Sequence, residues 1–515
     1  MELLRPQDAF FLYTETPCVQ QHVGGLAILD SSGRPQGRLR REELVELLGG
    51  RLCGLPRLRQ RLAVAPLGLA RAAWVDDDAF DLAWHVRRLE LPPPGGWDEL
   101  CETVEALMSA PLDRSRPLWE LYLLDGLEGG SQAVVLKLHH AIADGLGALN
   151  VAHHLFGLSA GARNGVLRRL RLATAADVAP ATAPDEWDPQ PPPGDGRLFW
   201  ATLWAHVAAP WRALGGAIAR TIHHPARSFR RAGEIVIGIW QLARAGTAPK
   251  CPLNRPVAAE RRIVLAEVPL DQVKRVRGKL GGTMNDIVLT LVAEGVHSLL
   301  DRRAEAGDRA GATGDRAKRG DRARAKGDDR TKGDDTLRVM VPVAVRPPGQ
   351  AAAPGTWTSA LSVDVPVGPM RASERLAAVR ALTKRAKRSH QPLGATFLMQ
   401  VVGAWAPAPL HARAARYAYR GRWFNLIITT LGGIVAPVHI AGARVVVAYP
   451  LMPLASEVGI TAAAMTWEDR LTIGLTADAS TVPDLERIAD AMLASMDRLH
   501  QAASDPTASR ARWAV

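Results

Sequence analysis

Apolar and polar positions along the chain change period several times, and each change marks an element. The stretches HVGGLAILD and SQAVVLKL, starting at His22 and Ser131, alternate as strands do. REELVELLGGRL and WDELCETVEALMSA place apolar residues at three- and four-residue steps, which predicts amphipathic helices. Residues 1–175 therefore read as a mixed α/β domain. Residues 174–196 are rich in Pro, Ala and Asp and read as a linker. A helical stretch follows, interrupted by Pro210 and Pro225, with Trp and Phe beside Arg. It would either lie on a membrane surface or pack on the core as an interdomain helix pair. Strands and helices resume near residue 253 and continue to the C-terminus. The domains expected are thus 1–175, a linker with amphipathic helices over 176–252, and 253–515. Residues 301–335 are Gly, Asp, Arg, Lys and Ala with no large apolar side chain. Such a segment cannot offset its ordering entropy, so a disordered insertion between a helix and a strand is expected.

Composition narrows this picture. At 515 residues the chain can hold two or three cores, and 47% apolar with 23% charged residues is ordinary globular composition. Four scattered cysteines argue against a disulfide framework or a structural zinc site, and for a reducing compartment. The net charge of +12 favours anionic partners: nucleic acid, acidic lipid or a polyphosphorylated small molecule. Aromatic residues are 5% and no nucleic-acid motif accompanies the charge, so nucleic acid is not expected as a partner. The N-terminus has no apolar core of a signal peptide, and no apolar run reaches the ~18 residues of a spanning helix. A soluble or peripheral protein is expected.

Candidate chemistry sits in LKLHHAIADGLGALNVAHHLFGL, from Leu136 to Leu158. The strand period places His140 with Val134, Leu136 and Leu138, and His139 on the other face with Lys137. Asp144 and Gly145 then open a turn before a helix. A neutral imidazole can take a proton near pH 7 and return it to a leaving group. By chance, HHxxxDG would appear on the order of once in several hundred chains of this composition. The pairs His153-His154 and His223-His224 lack a following Asp and read as structural or solvent-facing. Adjacent strand residues face opposite ways, so the first pair is a poor metal site, and no metal is expected. Thr283 and Asp286 have the spacing of a capping box before an apolar helix.

HHAIADG resembles the HHxxxDG motif of the coenzyme A-dependent acyltransferase superfamily, which includes chloramphenicol acetyltransferase and peptide-synthetase condensation domains. LRPQDAFFLYTETP, QHVGGLAILD, PLDRSRPLWELYLLDGL, GGTMNDIVLTLVAEGVHSLL and FNLIITTLGGIVAPVHIAGARVVVAYP resemble the bacterial wax ester synthase/diacylglycerol acyltransferase family. The resemblance covers nearly the whole chain apart from the linker helices and residues 301–335. It implies an α/β (α+β) fold of two chloramphenicol-acetyltransferase-like domains, each a mixed sheet flanked by helices, with a helical linker and a substrate tunnel between them. It implies His140 as general base beside His139, with Asp144 holding the loop through an ion pair and Gly145 permitting a tight turn. Pro117, Leu118 and Trp119 match the family's PLW motif, and Asn285 and Asp286 its ND motif. All five are expected near substrate.

The chain departs from the family at one place. Ser-Asn-Val-Pro-Gly-Pro usually follows the FNL strand; here Thr429, Thr430, Leu431, Gly432, Gly433 and Ile434 stand instead. Thr429, Thr430 and Gly433 are the substrate-side candidates there, Thr430 as a hydrogen-bond donor. The expected activity is acyl transfer from acyl-CoA, as substrate and with no further cofactor, to diacylglycerol or a long-chain fatty alcohol. A cytoplasmic enzyme peripheral to the inner membrane or to lipid droplets would meet these substrates on an anionic surface. The altered segment also leaves open a non-catalytic lipid-binding relative, or an acyltransferase for a polar secondary metabolite.

Overall fold

The computed structural model describes every residue except 65–67, 69–70, 158–186, 315–334, 345–357, 435 and 506–515. Two six-stranded mixed sheets organise it. The first runs Val438–Ile440, Ala443–Leu451, His22–Asp30, Gln132–His139, Trp119–Asp125, Val86–Glu90 in spatial order. The second runs Thr358–Pro366, Thr336–Ala344, Leu426–Thr430, Ile460–Trp467, Arg470–Asp478, Arg261–Pro269. A small third sheet joins Glu2–Leu3, Ala73–Asp76 and Gln60–Ala63. The strands expected at HVGGLAILD and SQAVVLKL are central neighbours, paired antiparallel with His22 opposite His139. Fully buried Gln132–His139 needs no polar face, which is why its alternation is imperfect.

Each sheet carries its own helices and its own core. The helix Arg41–Gly49 buries Leu44 and Leu48, and Trp97–Ser109 buries Leu100, Val104 and Met108, all against the first sheet. These are the four-residue steps of the sequence pattern. The second sheet is covered by Leu270–Leu280, Met284–Gly314, Ala372–Lys387 and Glu486–Ser504. The halves interlock, because Ala443–Leu451 follows second-sheet strands in the chain but pairs with His22–Asp30 of the first sheet. Where the sheets meet, a Cβ on Gly474 would stand 2.1 Å from the Pro450 carbonyl oxygen. Only glycine lets those two backbones approach so closely.

Two expectations change. The stretch after the linker is helical, but Pro210 does not interrupt it: one helix runs Asp195–His223, and the break comes at His224 before a second helix, Pro225–Ala245. An internal proline forgoes one backbone bond, which a helix of this length can bear, whereas Pro225 at a first turn forgoes none. Residues 301–314 are helix rather than loop, as an extension of Met284–Gly314. Extending a formed helix through a segment with four Ala and three Arg needs no new nucleus. The rest of the 301–335 insertion up to 334, and linker residues 174–186, lie outside the described residues.

Candidate active site

The first His pair ends the central strand Gln132–His139 at the seam between the halves. The His139 amide donates to the Leu118 carbonyl (2.9 Å) and the His140 amide to the Gln21 carbonyl (2.8 Å). The two rings then part. His139 Nδ1 accepts from the Ala141 amide at 2.9 Å, which puts the ring proton on Nε2, facing Glu15 Oε1 at 3.4 Å. His140 stacks on Phe11, with ring centroids 3.6 Å apart and planes at 12°. Phe11 also packs in an aromatic cluster with Phe10, Tyr419 and Ile427, the last from a second-sheet strand. Through Phe11, His140 therefore abuts a cluster built from both halves.

Burial lowers the His140 pKa to about 4, with the Asp144 carboxylate pulling the other way. At neutral pH its imidazole is uncharged. A proton-accepting role needs that state, and a lowered pKa extends it to acid. The acyl-transfer rate is therefore expected to stay flat from about pH 8 down to about pH 6. An acid limb centred at the ordinary histidine value of 6.5 would contradict this.

Asp144 is the N-cap of the helix Gly145–Phe156, its Oδ1 accepting from the Gly147 amide at 2.8 Å. Gly145 is not there for a tight turn, because its backbone lies outside the left-handed region. A Cβ at Gly145 would stand 2.9 Å from Leu431 Cδ2, so the glycine makes room for the altered second-half segment. Gly145→Ala should lower activity, and Gly145→Ala with Leu431→Ala should recover it; no recovery would show that the clash is not the cause.

Glu15, absent from the expected set, ends the helix Pro6–Thr14 and gathers four groups. Its Oε1 accepts from the Gln21 amide (3.1 Å) and faces His139 Nε2 and, at 3.6 Å, His22 Nε2; its Oε2 pairs with Arg114. Burial works to raise its pKa, but the bonds and charges of His139 and Arg114 outweigh it and hold the carboxyl well below its usual range. His22 is kept neutral by burial, then by Lys137. Lys137 itself caps the helix Trp97–Ser109 through the Leu107 and Ala110 carbonyls (2.8 and 2.7 Å), and burial lowers its pKa to about 8. A cavity of about 420 Å³ opens on this side, lined by Glu15, Gln20, Leu112, Arg114, Leu118 and His139 among others.

Of the PLW residues, Leu118 lines that cavity. Trp119 is fully buried, its indole N–H donating to the Leu58 carbonyl (2.8 Å) and its ring stacked on His85. Pro117 is buried beside them, its carbonyl accepting from the Trp119 amide. In the second half, the Asp286 carboxylate accepts from the Thr283 amide (2.7 Å) and hydroxyl (2.8 Å), the expected capping box. It also accepts from the Thr383 hydroxyl (2.6 Å). Asn285, one residue before, accepts from the Thr430 hydroxyl at 3.1 Å. Thr430 thus spends its donor on Asn285, whose NH2 group is oriented by it. Thr429 is buried in the strand Leu426–Thr430. Gly433 lies against the strand end at Thr466, where a Cβ would meet the Thr466 carbonyl oxygen at 2.2 Å. Among the described residues no group of three or more His, Cys, Asp or Glu could hold a metal ion.

Two linked mixed sheets carry the His-His-x-x-x-Asp-Gly loop at their seam. Solved structures agree at the level of fold. A wax ester synthase/diacylglycerol acyltransferase from Marinobacter aquaeolei VT8 superposes with a TM-score of 0.63 at 22% identity, covering 98% of this chain and 100% of that one. The first condensation domain of the CDA synthetase gives 0.58 at 15% identity, covering 98% and 96%. The wax ester synthase/diacylglycerol acyltransferase catalytic domain matches residues 4–288, and the C-terminal domain of that family matches residues 355–500. A probable diacylglycerol O-acyltransferase of Mycobacterium tuberculosis is 29% identical over 100% of this chain and 99% of its own length. A second from that organism is 35% identical over 54% of this chain and 95% of its own length. The chain belongs to the wax ester synthase/diacylglycerol acyltransferase family and is an O-acyltransferase.

Proposed function

We propose that the protein transfers a long-chain acyl group from acyl-CoA to diacylglycerol, a long-chain fatty alcohol, or both, with His140 as general base. The observation that carries the base assignment is the burial that holds His140 neutral. His139 is the poorer candidate, since Nδ1 already accepts from Ala141 and Nε2 carries the proton toward Glu15. His140 takes the proton of the acceptor hydroxyl as its oxygen attacks the thioester carbonyl. The tetrahedral oxyanion collapses, the C–S bond breaks, and the leaving thiolate takes the proton back from the imidazolium. The Asn285 NH2 group, set by Thr430, is the donor offered to the oxyanion from the second half. No acyl-enzyme forms on this route.

Arg114 beside the cavity suits the phosphates of an acyl-CoA, and the net charge of +12 suits an anionic membrane or droplet surface. The location that fits such substrates is cytoplasmic, peripheral to the inner membrane or to lipid droplets. The test is mass identification of the ester made from palmitoyl-CoA with hexadecanol and with dioleoylglycerol offered together. Triacylglycerol, wax ester or both supports the reading. Ester from neither, with transfer to a polar alcohol, would sink it.

A further inference from the structure

The helix Asp195–His223 presents Trp200, Trp204, Val207, Trp211, Leu214, Ile218 and Ile222 at steps of three or four residues, and all seven are exposed. Trp204 and Ile222 keep 73% and 72% of their surface in solvent. The opposite side packs: Leu198 and Thr202 are buried, with Leu198 clustered against Ala73. A core-packing helix buries its apolar stripe, and this one does the reverse. Its neighbours continue the pattern. Pro225–Ala245 exposes Phe229, Val236, Ile237 and Trp240, and Gln391–Trp405 exposes Phe397, Leu398, Val401 and Trp405. These three helices pack on one another. Gly238 and Gly394 bring two of them into backbone contact, a Cβ on Gly238 standing 2.2 Å from the His390 carbonyl oxygen.

We infer that this three-helix face docks the enzyme on an anionic phospholipid surface. The inference rests on the proposed function only for the apolar nature of the substrates. Tryptophan is enriched at headgroup depth, where its ring is apolar and its N–H meets water. The charge argues for lipid over a second copy of the chain. Residues 195–245 carry seven Arg against one Asp and one Glu. Exposed Arg227, Arg230, Arg231 and Arg244 lie on the second helix, with Arg244 over the Trp240 ring at 5.0 Å. Two such faces would repel each other, whereas anionic headgroups attract them. No described helix is long and apolar enough to cross a membrane, so the contact is one of lying on the surface. The face also adjoins the site. A Cβ on Gly403, in Gln391–Trp405, would stand 2.2 Å from Pro6 Cβ, the start of the helix whose Phe11 stacks on His140. The helices Gln391–Trp405 and Pro6–Thr14 thus link this face to the catalytic seam.

The test is flotation of the full chain with phosphatidylglycerol/phosphatidylcholine vesicles, comparing wild type with the triple variant Trp200→Ser, Trp204→Ser, Trp211→Ser. These side chains are exposed, so thermal unfolding should not move. Vesicle binding should fall more than about tenfold in the variant, since binding scales with inserted apolar area. It should also weaken on pure phosphatidylcholine and in high salt. Thiol release with a short-chain acyl-CoA and a water-soluble alcohol should be unchanged. Equal binding by wild type and variant, or no binding by wild type, overturns the inference. A lipid-free dimer that the triple variant dissociates overturns it in favour of a second copy. Flotation does not depend on turnover, so an inactive but vesicle-bound wild type would count against the proposed activity alone.

Discussion

His140→Ala is expected to lower acceptor-dependent thiol release by about 10²–10⁴-fold, the range that a positioned general base contributes. Thermal unfolding at neutral pH should move little. The turn is held by backbone bonds, from the His140 amide to Gln21 and from the Ile142 amide to His139. The loss should fall on kcat rather than KM, because the proton moves only in the transition state. His140→Gln should be as slow as the alanine variant, since a carboxamide fills the space against Phe11 without a basic nitrogen. Activity retained in the glutamine variant would make the ring a spacer.

Glu15→Gln is expected to lower both stability and rate. Glu15 is nearly buried, and removing the charge turns an NH2 group either toward Arg114 or toward the side shared by His22, His139 and the Gln21 amide. Breaking a buried ion pair costs about 3–5 kcal/mol; here the half-exposed Arg114 can turn to water, so roughly 1–3 kcal/mol is expected. The pH dependence has a definite sign. The folded-state pKa lies below the ordinary 4.5, so the unfolded chain binds the proton more readily. The stabilisation is present above about pH 4.5 and is lost as pH falls below it. The difference in stability between wild type and Glu15→Gln should therefore shrink below pH 4.5. A constant difference from pH 7 to 3 would mean that the charge is not what holds the cluster. The rate should fall because His139 fixes the turn that presents His140, and a His139 ring with the other tautomer loses its bond from the Ala141 amide.

The sequence shows these two residues unequally. His140 is legible because its motif is local: a buried strand, two histidines, then a helix cap, all within fourteen positions of Gln132. Glu15 is legible only in part. An acid one residue past the apolar FFLY run and two residues before Pro17 is an odd place for a solvent-facing charge, and that oddness is the available signal. Its partners at 22, 114 and 139 are brought to it by strand pairing and by the loop that follows Trp97–Ser109, which periodicity does not record. Phe11 and Leu431 are hidden for the same reason, since stacking on His140 and filling the space at Gly145 are contacts across the seam. The alternating segments mark strands and helices and the family resemblance implies the two-sheet fold, but neither shows the passage of Ala443–Leu451 into the first sheet. That strand is apolar on both faces and would suit either sheet. The capping box at Thr283 and Asp286 is legible in full, because a cap is a property of four consecutive residues.

The central claim is direct transfer from acyl-CoA to an alcohol at the His140 seam. Its most direct test is a single-turnover reaction of wild-type protein with radiolabelled palmitoyl-CoA, run without and with dioleoylglycerol or hexadecanol, followed by separation of protein, free acid and ester. The account predicts intact palmitoyl-CoA and unlabelled protein without acceptor, and label in the ester with stoichiometric free thiol once acceptor is added. Label covalently bound to the protein, or thiol release that ignores the acceptor, would contradict it.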